Sequence, residues 1–111
     1  MSKLGILEQR LIKPRQVITR RGDPGKRVYF VISGSIQVSG GSGPGVLEEG
    51  RMFGRVDLLL GQDDVGAYTQ TATALTDATI MFAEASSLRE EVDKASPTVR
   101  ALLDYAMQAS A

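Results

Sequence analysis

The sequence predicts a mainly β fold closed by helices, on three observations. Between Gln16 and Ala83, short β-branched and aromatic runs follow one another, each ended by Gly, Pro or Asp. After Glu84 the apolar spacing changes from about two residues to about 3.6. The composition, 42% hydrophobic and 23% charged over 111 residues, is that of an ordinary globular chain, and the length suits one compact domain, residues 1–111.

The first strand is Gln16-Val17-Ile18-Thr19. Arg21-Gly22-Asp23-Pro24-Gly25-Lys26 then carries turn chemistry, because Gly accepts positive φ, Pro fixes φ and Asp bonds its own backbone. Arg27-Val28-Tyr29-Phe30-Val31-Ile32-Ser33 is almost wholly apolar, as in a strand covered on both faces. Gly34 separates it from Ser35-Ile36-Gln37-Val38-Ser39, and the two together read as a hairpin. Gly40 to Gly45 is expected to be a mobile hairpin tip, followed by a strand at Val46-Leu47-Glu48-Glu49. Met52 to Leu60 fits a short helix or an apolar strand, and periodicity leaves both open. Tyr68 to Leu75 alternates, Thr76-Asp77 turns, and Ala78 to Ala83 follows as the last strand.

Ser86-Ser87 signals the start of a helix whose apolar face carries Leu88, Val92 and Ala95. A second helix starts at Ser96-Pro97, an N-cap residue before a proline at the first helical position. It sets Val99, Leu102, Leu103, Ala106 and Met107 on one face, a stripe expected to pack on the β layers or on a second copy of the chain.

Composition also bounds the chemistry. Cysteine and histidine are both absent, which removes Ser-His-Asp and Cys-His catalysis and most zinc or iron sites. A histidine-ligated, cupin-like metalloenzyme is disfavoured on the same ground, so the chain is expected to be no enzyme and to need no cofactor or metal. Asp63-Asp64 lacks the further oxygen ligands of a calcium loop. Thirteen basic residues balance thirteen acidic ones, and Lys13, Arg15, Arg20, Arg21, Lys26 and Arg27 read as solvated charge rather than a nucleic-acid face. No signal-peptide core is visible, and the absence of cysteine suits the cytoplasm, the expected location.

Taken in order, Gly22-Asp23-Pro24-Gly25, Val28 to Gly34, Met52-Phe53-Gly54 and Ala74-Leu75-Thr76-Asp77-Ala78 resemble the cyclic nucleotide-binding domain over about residues 14–105. That family includes the sensor halves of bacterial catabolite activator proteins, protein kinase A regulatory subunits and cyclic nucleotide-gated channels. The resemblance implies a double-stranded β-helix, a jelly-roll-like β-roll over about residues 14–84, with C-terminal helices over about 86–108. It also implies a phosphate-binding cassette that opens with Phe-Gly-Glu, the Glu taking the ribose hydroxyl, and closes with an Arg that grips the cyclic phosphate.

Here Arg55 follows Phe53-Gly54 where the family has Glu, and counting back from Ala74 puts Tyr68 at the Arg position with Thr69 after it. A phenol offers one neutral donor where a guanidinium offers a charged fork. The candidate pocket is Phe53, Gly54, Arg55, Val56, Asp57, Leu58, Tyr68 and Thr69. Arg55 either meets an anion at the start of the cassette helix or is a solvated side chain or one paired with Asp57 or Asp64, and Asp57 is expected to face solvent. The expected function is a regulatory or protein-interaction module that binds cAMP and cGMP weakly or not at all. The alternative is a genuine cAMP or cGMP sensor with a non-standard pocket. The expected partners are a protein or neighbouring domain, a cyclic nucleotide or other small anion, and a second copy through the C-terminal helix.

Overall fold

Side-chain alternation in two long strands, β4 (Arg27–Ser33) and β9 (Ala78–Glu84), divides the interior from the outer surface. The computed structural model describes residues 3–4, 7–40, 45–59 and 66–110. Pairing of β4 with β9 builds a five-stranded antiparallel sheet in the order β1-β2-β9-β4-β7, with β1 at Lys3–Leu4, β2 at Leu7–Ile12 and β7 at Met52–Gly54. A four-stranded sheet faces it in the order β3-β8-β5-β6: β3 is Val17–Thr19, β8 Thr71–Ala74, β5 Ile36–Ser39 and β6 Val46–Leu47. Ile12, Tyr29, Val31, Ile80 and Phe82 of the first sheet meet Ile36, Val38, Leu47, Ala72 and Ala74 of the second in one buried cluster. This is the expected mainly β roll, and the helices α2 (Ala85–Lys94) and α3 (Pro97–Ser110) follow it.

Three local expectations are corrected. The stretches on either side of Gly34 do not form a hairpin: β4 pairs with β7 and β9, whereas β5 pairs with β6 and β8. Gly34, at φ +90°, carries the chain from one sheet to the other, and a Cβ there would stand 2.5 Å from the Asp77 carbonyl oxygen. Second, the roll takes in Leu7–Ile12, ahead of the expected start near residue 14, because β2 pairs with β9 from Glu8↔Phe82 to Ile12↔Ala78. Third, α2 starts at Ala85, with Glu84 as its N-cap residue and no side-chain cap, so Ser86 and Ser87 lie inside the first turn. Val99 and Leu102 of α3 stay 45% and 66% exposed in the single chain, which leaves a second copy as the other expected cover for their stripe.

Other elements agree with the sequence reading. Val99 N–H donates to Ser96 Oγ at 3.3 Å, the expected N-cap contact of α3. Met52 to Leu59 forms strand β7 and a short helix α1, Val56–Leu59. Strands β5 and β6 pair as a hairpin; the expected tip at 41–44, residues 60–65 with Asp63-Asp64, and the side chains of Leu103, Ala106 and Met107 lie outside the described residues. Among the described residues no helix is long and apolar enough to cross a membrane.

Candidate functional site

The turn from β7 into α1 is fixed by backbone contacts that leave little room. Gly54 sits at φ +91°, and a Cβ there would approach the Arg27 carbonyl oxygen to 2.6 Å. That same carbonyl accepts the Arg55 N–H at 2.9 Å, so the chain leaves the sheet at Gly54 and enters α1 at once. Val56 and Leu59 are buried on the outer side of the five-stranded sheet with Val28, Met52 and Ala85, and half-buried Leu58 packs there as well. α1 is therefore anchored by its apolar face to the sheet.

Arg55, only 3% exposed, reaches back across the cassette. One guanidinium nitrogen donates to the Gly25 carbonyl at 2.9 Å, and two others contact the two Asp57 carboxylate oxygens at 3.0 and 2.9 Å. A buried guanidinium needs such a fork-to-fork contact, because an unpaired charge away from water is costly. The expected pairing with Asp57 is present, the solvated alternative is not, and half-buried Asp57 is engaged rather than turned wholly to solvent. Arg55 thereby ties the 22–25 turn to the start of α1.

Tyr68 is held from the opposite strand. Pro24 bridges Ala67, Tyr68 N–H donates to the Asp23 carbonyl at 3.0 Å, and Gly22 N–H donates to the Tyr68 carbonyl at 2.9 Å. These contacts swing the Tyr68 ring over Gly25, where any side chain would overlap it. The ring tilts against Tyr29, centroids 6.5 Å apart, and Tyr29 in turn stacks on Phe53 at 4.9 Å with an interplanar angle of 11°. Tyr68 hydroxyl accepts the Arg27 N–H at 3.4 Å. Burial, reinforced by hydrogen bonding with Tyr29, pushes its pKa up to about 12, so the phenol stays neutral at physiological pH.

Phe53, Gly54, Tyr68 and Thr69 line one cavity between the sheets, together with Thr19, Val38, Gln70 and Ala72. Its volume is about 10 Å³. That is at the lower limit for a single water, where ligand pockets run from about 300 to 1,000 Å³. Of the eight expected pocket residues, four line this cavity, Arg55 and Asp57 form the staple beside it, and Val56 and Leu58 belong to the outer apolar cluster. Sequence reasoning missed Thr19, which is buried and donates to the Gln70 carbonyl at 3.1 Å, and the role of Gly25 as the seat of the Tyr68 ring. The glycine in Gly22-Asp23-Pro24-Gly25 was the available signal, because a second glycine after a turn proline marks close approach as well as turning.

The family model named cyclic nucleotide-binding domain matches residues 9–95, the roll together with its strand-glycine-helix cassette and α2. The chain belongs to that family. Among solved structures it is similar to the C-linker and CNBHD of zELK channels crystallised in the presence of cAMP, at 26% identity and TM-score 0.63, covering 77% of this chain and 43% of that one. The sensor domain of the transcriptional regulator DNR from Pseudomonas aeruginosa matches at 19% identity and TM-score 0.73, over 90% of this chain and 66% of that one. The regulatory subunit of a cAMP-independent protein kinase A from Trypanosoma brucei matches at 21% identity and TM-score 0.59, over 72% of this chain and 30% of that one. The latter two establish the fold alone. The chain spans under half the length of the zELK fragments it matches. No curated protein matches it.

Proposed function

We propose that this chain is a regulatory and protein-interaction module of the cyclic nucleotide-binding fold whose nucleotide cavity is filled by its own side chains, so that it binds cAMP and cGMP weakly or not at all. The observation that carries this reading is the volume of about 10 Å³ left beside Tyr68. Arg55 occupies the position where the family places its ribose acceptor, and its donors are turned to Gly25 and Asp57. Replacing a charged phosphate clamp by a neutral phenol removes roughly 2–5 kcal/mol of ligand contact, about 1.5 to 3.5 decades of affinity. The same fold serves a cAMP-independent kinase in the trypanosome neighbour.

In this reading the chain is a single non-catalytic domain acting in the cytoplasm on a neighbouring domain or a protein partner. The α3 stripe of Val99, Leu102 and Tyr105, exposed on the described molecule, is the surface offered to that neighbour or to a second copy. Calorimetric titration with cAMP, cGMP and cyclic dinucleotides tests the cavity claim. No saturable heat is expected up to millimolar ligand. Saturation in the micromolar range would establish the other reading, a true sensor in which Tyr68 leaves the cavity when nucleotide enters.

A further inference from the structure

Tyr68 is a wall of two cavities. On the far side from the inner one lies an open groove of about 350 Å³, bordered by Pro24, Gly25, Lys26, Arg27 and Glu84, with Tyr29 behind. Its size falls within the range of small-molecule sites, where the inner cavity does not. The ring that fills one space thus forms a firm side of the other.

The chemistry of the groove is set by Arg27. Its guanidinium lies 4.8 Å from the centre of the Phe82 ring, and the Arg10 guanidinium lies 4.7 Å from the same ring. Contact with an aromatic face holds a guanidinium in place without consuming its N–H donors. The Arg27 side chain remains 42% exposed, and its contact with Glu84 is 3.9 Å, too long for a hydrogen bond. A positioned guanidinium with a carboxylate beside it on the same groove matches a specific kind of molecule. A carboxylate or phosphoryl oxyanion would take the Arg27 fork, while Glu84 would accept from a hydroxyl or ammonium group beside it.

We propose that the groove between the 24–27 turn, Tyr68 and Glu84 binds a small oxyanion carrying a neighbouring hydrogen-bond donor, with Arg27 as its anchor. This site is separate from the nucleotide cavity, and it stands whether or not that cavity admits cyclic nucleotides. Backbone amide shifts under titration at constant ionic strength test it, with malate and inorganic phosphate as donor-bearing probes and acetate as the probe without a donor. Saturating shifts should centre on Gly25, Lys26, Arg27 and Glu84, with malate binding more tightly than acetate. Arg27→Gln should weaken malate by about tenfold or more, the loss of charge-assisted hydrogen bonding. Should Arg27→Gln fail to fold, Glu84→Gln decides, because losing the acceptor for the ligand's hydroxyl should abolish the several-fold preference for malate over acetate. Shifts that do not saturate, that survive Arg27→Gln in a folded protein or that centre on Gly54 and Thr69 would overturn the proposal, as would a malate preference that Glu84→Gln leaves unchanged.

Discussion

The two apolar clusters of this molecule are held in different ways. The inner one draws on both sheets, fully buries Ile36 and Ile80, and is filled out by Tyr29, Phe53, Tyr68 and Phe82. The outer one is small, formed by Val28, Met52, Val56, Leu59 and Ala85, and polar contacts extend it into the helices. Arg89 of α2 donates to the Leu59 carbonyl at the end of α1, and Asp93 contacts Arg89 at 3.5 Å and Arg100 of α3 at 3.7 Å. Exposed ion pairs of this type contribute about 0–1 kcal/mol each, so α2 is held chiefly by buried Ala85 and by Leu88, which packs against the outer cluster. The contrast is between a large interior filled by side chains of both sheets and a thinner outer layer that joins one sheet to the helices.

The largest expected effect tests that contrast. Phe82→Ala should cost about 3–5 kcal/mol, because the ring is buried among Tyr29 and two guanidiniums that cannot collapse into its space. Leu59→Ala in the outer layer should cost about 2 kcal/mol, the low end for a buried leucine, since α1 can settle toward the sheet. Urea denaturation of the two variants measures both. Equal losses would mean that the outer layer is as firmly packed as the interior, and the contrast would fail.

Much of the architecture was legible in the sequence because it depends on local periodicity. The strands at Arg27–Ser33, Ile36–Ser39 and Ala78–Glu84, the N-cap at Ser96 and the change of period near Glu84 all declare themselves within a few residues. What local pattern cannot supply is pairing. Adjacent strands flanking Gly34 read as a hairpin, yet tertiary packing sends them to opposite sheets. Strand β2 was missed because Glu8, Gln9 and Arg10 interrupt its apolar residues, and only its partner β9 makes that segment extended. The positions of Arg55 and Tyr68 in the cassette could be counted from family spacing. Their partners could not, since the Gly25 carbonyl and the Arg27 N–H lie 30 and 41 residues away in the chain.

An intermediate effect sharpens the account of the interior at its edge. Gly25→Ala forces a methyl group into the Tyr68 ring, and overpacking of this type costs about 1–3 kcal/mol. Tyr68→Ala makes room for it, so in the double variant the Gly25→Ala penalty should fall by at least about 0.5 kcal/mol, the coupling expected of residues in contact. Thermal or urea unfolding of the four proteins closes the cycle. Strict additivity would show that Tyr68 does not rest on Gly25 in solution, and the filled cavity would lose its main support.

The smallest effect at neutral pH belongs to Tyr68→Phe, and its pH dependence is the more telling quantity. The ring stays, so the cavity stays filled, and only the long hydrogen bond from Arg27 N–H at 3.4 Å and the contact with the Tyr29 hydroxyl are lost, about 0.5 kcal/mol. The Tyr68 pKa is raised from 10.0 to about 12 in the folded protein, first by burial and then by the hydrogen bond with Tyr29. Below pH 10 the phenol is protonated in both states, and the stability difference between parent and variant should be flat. Between pH 10 and about 12 the unfolded chain releases the proton while the folded chain retains it, so stability falls as pH rises. The variant has no phenol at this position and escapes that fall, so its stability should overtake that of the parent across this window. Contributions from the rest of the chain are common to both proteins and cancel in the difference. A difference that stayed flat through pH 12 would place the Tyr68 hydroxyl in water, swung out of the interior, and the inner cavity would then be open to a ligand.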